Sequence, residues 1–321
     1  MILGNFAIFF NLLSIMAFSG LLIIFTLTVM IKLRLSDLSQ YHILSGRRLL
    51  WFIAFSPWVV SLLAATIAIV SDLKHSPFSQ NYDLLHWHHA EEFMLTSWHG
   101  LSMMIAFGYA VFLLMQKIRQ LILNARQIKW LNAFAEYDKK GFYQLDTDAV
   151  TAFTAGYLRP RCYITSKLRS QLTDEEYQII QLHEQAHARR FDPAKKWFFQ
   201  LLTAFFPKGI SQQLNKSMSL IMEQCADSAI IQVISDRSLI AMTLLKVQRL
   251  AVKPLDNNLD GGAFCYYAFD NVETRIRYIL NEPESKSFPF VLLFMTTVLT
   301  SIACALSADI FHRLIETAFI H

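Results

Sequence analysis

The apolar positions of this chain gather into long unbroken runs toward its two ends, and into helical and alternating patterns between them. Residues 5–31, NFAIFFNLLSIMAFSGLLIIFTLTVMI, carry no charge and are long enough to cross a bilayer as a helix. A second run, 49–70, reads as a span that Pro57 is expected to kink, and 100–116 reads as a third. Near the C-terminus, 288–306 reads as a fourth. The polar block between the third and fourth runs mixes both periods. Segments 149–154 and 161–165 are strand-like and are joined by a turn from Gly156 to Pro160. Helical patterns follow over 173–193, 211–234, 235–250 and 272–280, with a loop at 254–270. Residues 194–206 predict a strongly apolar helix, either buried or lying against the membrane, that Pro207 and Gly209 end. The expected fold class is mainly α and integral to the membrane: four transmembrane helices carrying an α+β domain.

Composition agrees. The 321 residues are 54% hydrophobic and 13% aromatic against 17% charged, and the mean hydropathy of +0.34 is too high for an ordinary soluble protein. The formal net charge of +4 is small, and no direct binding to nucleic acid is expected. The placement of the basic residues says more. No basic stretch precedes the first run, as it would in a secretory signal, whereas Lys32, Arg34, Arg47 and Arg48 follow it at once. Lys117, Arg119, Arg126 and Lys129 follow the third run. Both basic stretches are therefore expected in the cytoplasm. The resulting plan is a membrane region 1–116, with spans at about 5–31, 49–70 and 100–116 and an external loop 71–98. A cytoplasmic domain 117–287, a fourth span 288–306 and an external tail 307–321 complete it, in a bacterial inner membrane. The external loop holds His86, His88 and His89, with His99 close behind. An external metal or pH sensor and a polar loop of biased composition are both open readings. Cys162, Cys225, Cys265 and Cys304 form no paired framework, and the first three are expected to stay reduced.

The candidate chemistry concentrates in residues 173–193, TDEEYQIIQLHEQAHARRFDP. Thr173 and Glu176 read as a capping box, and Pro193 stops this helix or opens the next. Inside it lies His183-Glu184-Gln185-Ala186-His187, an HExxH pattern. Residues four apart on a helix share a face, so the two imidazoles can grip one metal ion, and Glu184 can reach a water beside it. A site of this kind needs a third protein ligand, which Glu223 in Met222-Glu223-Gln224-Cys225-Ala226-Asp227 can supply from a later helix. Asp227 and Asp192 are candidates to orient the histidines from behind. Their alternatives are a solvated Asp227 and an Asp192 that only caps the helix at Pro193. The phase of Cys225 points it elsewhere. The strand pair is expected beside the helix, where an edge strand can pair with an extended substrate.

Ile164 to Leu168, Leu172 to Glu176, His183 to Pro193 and Glu223 to Asp227, with Arg275 in Glu273-Thr274-Arg275-Ile276, resemble the BlaR/MecR-type membrane metallopeptidases. The resemblance covers most of 150–280 and extends to the four-span frame. It implies a zincin-like cytoplasmic domain, one zinc ion per chain on His183, His187 and Glu223, and Glu184 as the catalytic base. It also implies a protein substrate, a DNA-binding repressor in the signalling members, and hence a membrane-embedded zinc metalloendopeptidase. Members that detect β-lactams carry a large external penicillin-binding domain after the last span, whereas only 307–321 follow it here. The expectation is a chain that does not sense β-lactams in that manner. Two other functions stay open: a quality-control protease of broad specificity, and a non-enzymatic sensor with a structural zinc site, against which Glu184 argues. A transporter is disfavoured, because the spans hold almost no ionisable residues. The lipid bilayer is an expected partner, and a homodimer is left open.

Overall fold

The computed structural model describes residues 2–34, 43–72, 92–95, 97–138, 141–250, 264–266 and 272–281, with short pieces between 291 and 303. The chain divides into two compact units. Met1–Asp37, Trp51–Leu113 and Phe288–His321 form one, and Leu38–Leu50 with Leu114–Ser287 the other.

Three helices, α1 (Asn5–Arg34), α2 (Ile43–Asp72) and α3 (Trp98–Phe134), are the ones among the described residues long and apolar enough to cross a membrane. Their apolar windows run over Asn5–Lys32, Ile43–Ile67 and Gly100–Phe134. Where a helix is apolar all round, packing with small and polar residues decides which face turns inward. In α1 the buried positions recur at every fourth residue: Ala7, Asn11, Ile15, Ser19, Ile23, Leu27 and Ile31. Gly20 leaves room for α2, since a Cβ there would lie 3.0 Å from Ser61 Oγ. Pro57 lacks the N–H that would bond to the Ile53 carbonyl. The Ser56 hydroxyl donates to that carbonyl instead, at 3.0 Å. A short antiparallel pair, β1 (Ile2–Leu3) with β2 (Glu92–Phe93), stacks Phe10 on Phe93.

The third helix extends beyond the span read from the sequence. It runs for 37 residues, past the expected span at 100–116 and through the basic stretch that follows it. No Gly or Pro interrupts 109–134, and Ile118, Leu121, Ile122 and Leu123 favour its continuation. The expected fourth span lies mostly outside the described residues. So do His86, His88 and His89, and most of the loop at 254–270.

The second unit contains a five-stranded sheet of order β3–β4–β6–β5–β7. Its strands are β3 (Glu136–Tyr137), β4 (Tyr143–Leu145), β5 (Ala152–Ala155), β6 (Arg161–Thr165) and β7 (Phe264–Tyr266). Only β4 and β6 run parallel. The expected hairpin is β5–β6, with Ala152 opposite Ile164 and Ala155 opposite Arg161. Gly156 makes its turn, at φ +115°, where a Cβ would sit 2.7 Å from the Arg159 carbonyl oxygen. Alternation assigns the two faces of the sheet. Ala152, Cys162 and Ile164 join the main core with Ile179, Ile180, Leu244 and Ile279, whereas Phe153, Ala155 and Tyr163 pack with Ile128 and Leu131 of α3. The edge-strand expectation is corrected: β5 is paired on one side by β6 and on the other by β7, so the hairpin has no open edge. The β7 partner comes from a segment whose Asn, Asp and Gly-Gly read as loop.

The helices of this unit are α4 (Ser166–Ser170), α5 (Asp174–Arg190), α6 (Asp192–Thr203), α7 (Lys208–Ile231), α8 (Arg237–Leu250) and α9 (Val272–Leu280). The apolar stretch at 194–206 resolves as the amphipathic α6. It buries Phe199 and Leu202, exposes Phe198 and packs against α7.

Candidate metal centre

The first turn of α5 is capped as its sequence requires. The Thr173 hydroxyl accepts from the Glu176 N–H at 3.2 Å, and the Glu176 carboxylate accepts from the Thr173 N–H at 2.8 Å. Along the inward face come Ile179, Ile180, His183, Glu184 and His187, all buried. The stripe that begins apolar turns polar halfway, and its polar groups must find partners inside the protein. The helix stops at Phe191, a non-glycine residue in the left-handed region (φ 56°, ψ 39°), whose N–H bonds back to the His187 and Ala188 carbonyls. The break restarts the chain as α6 with Asp192 turned back on His187.

The three sequence-predicted ligands come together. The Nε2 atoms of His183 and His187 lie 3.0 Å apart. Glu223, from α7, brings one oxygen to 3.2 Å from the first and the other to 3.5 Å from the second. Behind them, His187 Nδ1 faces Asp192 at 2.8 Å and His183 Nδ1 faces Asp227 at 3.2 Å. A carboxylate behind each Nδ1 favours the tautomer that aims Nε2 at the centre. Asp192 therefore does not act as a helix cap; the cap position is Phe191, which makes no side-chain cap bond. Asp227 is buried, not solvated.

Sequence reasoning assigned no role to Arg275, Arg190 or Thr154. Arg275, in α9, is the largest fully buried side chain among the described residues. Its Nε and Nη2 donate to Asp227 at 2.9 and 2.7 Å, and its Nη1 lies 3.0 Å from Glu223. The signal was present: in VETRIRYIL the arginine occupies the inward stripe Val272, Arg275, Ile279. Arg190 donates to Asp192 at 2.7 and 3.2 Å and to the Met222 carbonyl at 3.1 Å, next to Glu223. Thr154, on β5, donates to Glu184. Only strand alternation marks it, and alternation names a face, not a partner.

Burial opposes every charge here, and the neighbours decide the outcome. Against burial, Arg275 and then His187 hold the Glu223 carboxyl well below the usual carboxylate range. Asp227 is held down against burial by Arg275, and Asp192 by His187 and Arg190. Glu184 goes the other way: burial pushes its carboxyl up, outweighing the two histidines and Thr154. Burial works to lower the pKa of His187, but Glu223 and Asp192 push it up to about 10. The cluster draws positive charge to its centre.

Two imidazole nitrogens and a carboxylate, all buried and within 4.8 Å of one another, are a donor set for a divalent transition metal. Tetrahedral bonds of about 2.0–2.1 Å place ligand atoms roughly 3.3 Å apart. The spacings of 3.0, 3.2 and 3.5 Å bracket that value, so the residues fit a metal ion. Uptake must displace the extra proton on His187, which the metal-free cluster holds below about pH 10. Metal affinity is therefore expected to rise with pH through neutrality and to level off above about 10. Zinc titration by calorimetry in buffers of different ionisation enthalpy measures the released proton; heats independent of buffer contradict it.

Helices long enough to cross a membrane, together with an α+β unit that buries such a cluster, define a class of membrane proteins with a candidate internal metal site. The chain belongs to the BlaR1 peptidase M56 family, whose model matches residues 8–279. It is a membrane metallopeptidase by family, and proteins are its substrates. No curated protein matches the chain.

Proposed function

We propose that this chain is a zinc endopeptidase of the bacterial inner membrane. Its domain at 117–287 faces the cytoplasm and cuts a cytoplasmic protein, a transcriptional repressor, as a step in signalling. The observation that carries this reading is the state of Glu184. It is fully buried next to the His183, His187 and Glu223 cluster, and its Oε1 has no hydrogen-bond partner among the described residues. A purely structural ion has no use for such a carboxylate. In this reading His183, His187 and Glu223 hold the ion, and Asp227 and Asp192 orient the two histidines. The ion, when bound, supplies a Lewis acid that polarises the scissile carbonyl and acidifies the attacking water. Glu184 takes the proton of that water and hands it to the leaving amine. A carboxyl pushed up by burial suits a group that must hold a proton between two transfers. Arg275 keeps Glu223 ionised and therefore able to bind a cation. The basic residues after the first and third apolar runs support the cytoplasmic placement. The test is metal removal from the purified protein in detergent. Stripping with 1,10-phenanthroline is expected to stop cleavage of the repressor, and one equivalent of zinc to restore it. Cleavage that persists in metal-free protein overturns the proposal.

A further inference from the structure

The two oxygens of Glu184 have different surroundings. Oε2 accepts from the Thr154 hydroxyl at 2.6 Å, whereas Oε1 is buried without a partner among the described residues. We infer that Thr154 is a positioning residue for the base: its hydroxyl pins one carboxylate oxygen and leaves the other as the single oxygen that takes the proton. The inference rests on Glu184 being that base.

Thr154 is itself held firmly. It is fully buried in the middle of β5, with Cys162 of β6 opposite on one side and Cys265 of β7 on the other, so ladder pairing fixes its backbone from both edges. A β-branched side chain is stiff at χ1, so the hydroxyl does not swing away easily. Its oxygen also lies 3.0 Å from the Glu184 backbone carbonyl and 3.8 Å from Cys162 Sγ. A hydroxyl has one hydrogen to donate, and the carboxylate is both the nearest and the most strongly accepting of the three. The same bond joins α5 to the sheet, so the base is referenced to a rigid strand. A glutamate without that bond turns about its terminal torsions, which are broad, and spends less time with an oxygen toward the water.

The experiment compares wild type, Thr154→Val, Thr154→Ser and Glu184→Gln, as full-length protein in detergent. Each is loaded with zinc and assayed on a quenched-fluorescent peptide library, then on its best member. Thr154→Val keeps the shape and removes the donor. Losing a hydrogen bond to a charged group is expected to lower kcat roughly tenfold to a hundredfold, with KM nearly unchanged. Thr154→Ser is expected to recover most of that loss. Metal stoichiometry and the visible spectrum of the cobalt-substituted protein should match wild type in both, because the ligands are untouched. A Thr154→Val kcat close to wild type overturns the inference, and so does a loss that comes with an altered cobalt spectrum or that serine does not recover. Wild type that binds zinc and cleaves nothing overturns the peptidase reading as well. Cleavage by Glu184→Gln equal to wild type removes the base on which Thr154 would act.

Discussion

Glu184→Gln is expected to retain its metal and to lose peptide hydrolysis. The amide has the volume of the carboxylate, so a fully buried position accepts it without a cavity. In the orientation that keeps the wild-type bond, the Thr154 hydroxyl donates to the amide oxygen. The amide NH2 then occupies the place of the free oxygen, where it cannot take a proton. General acid–base catalysis contributes about 10²–10⁴-fold, and the loss is expected at the upper end because one group serves both proton transfers. Zinc content by mass spectrometry, measured beside cleavage of the same sample, separates this outcome from loss of the metal. Hydrolysis by Glu184→Gln at the wild-type rate would remove Glu184 from the mechanism.

Arg275→Met is expected to have the largest effect on stability. Arg275 is fully buried and bridges two buried carboxylates, Asp227 in a bidentate contact and Glu223 at 3.0 Å. Removing one partner of such a group leaves charge buried without compensation, which costs about 3–5 kcal/mol. For a unit of this size that corresponds to a fall in melting temperature of roughly 6–20 °C. Arg275→Lys should recover little, because an ammonium cannot match the planar, forked contact. Added zinc should recover part of the fall by taking over neutralisation of Glu223. Thermal unfolding of the metal-free and zinc-loaded proteins in detergent checks both statements, and a shift of only a degree or two would show that the buried pair is dispensable.

Much of the centre was legible because α5 is written locally. Capping by Thr173 and Glu176, the four-residue spacing of His183 and His187, and the four-residue spacing of Glu223 and Asp227 are all properties of single helices. What the sequence did not disclose depends on contacts between distant segments. The Thr154 bond to Glu184 spans 30 positions and the Arg275 bonds to Asp227 span 48. Neither partner announces the other. For Arg275 the pattern still held a clue, a charge in an otherwise apolar stripe, which signals a buried partner before the partner is known. The sheet was legible only in its hairpin, because Gly156 and Pro160 mark one turn, whereas β7 lies about a hundred residues beyond β6. The run of α3 beyond 116 was not legible for another reason. Its basic residues mark where an apolar window ends, but lysine and arginine are good helix formers and do not end a helix.

Around the two histidines, Glu184, Asp192, Glu223 and Asp227 are set, among the described residues, against the two guanidiniums of Arg190 and Arg275. With Glu184 ionised as the base, the four carboxylates and two guanidiniums leave two negative charges, which a single divalent ion balances. Under the proposed function the ion is then a component of the fold as well as of the catalyst. A cell short of zinc would hold this unit in a looser form that quality-control proteases remove faster, so the abundance of the protein would itself follow the zinc supply.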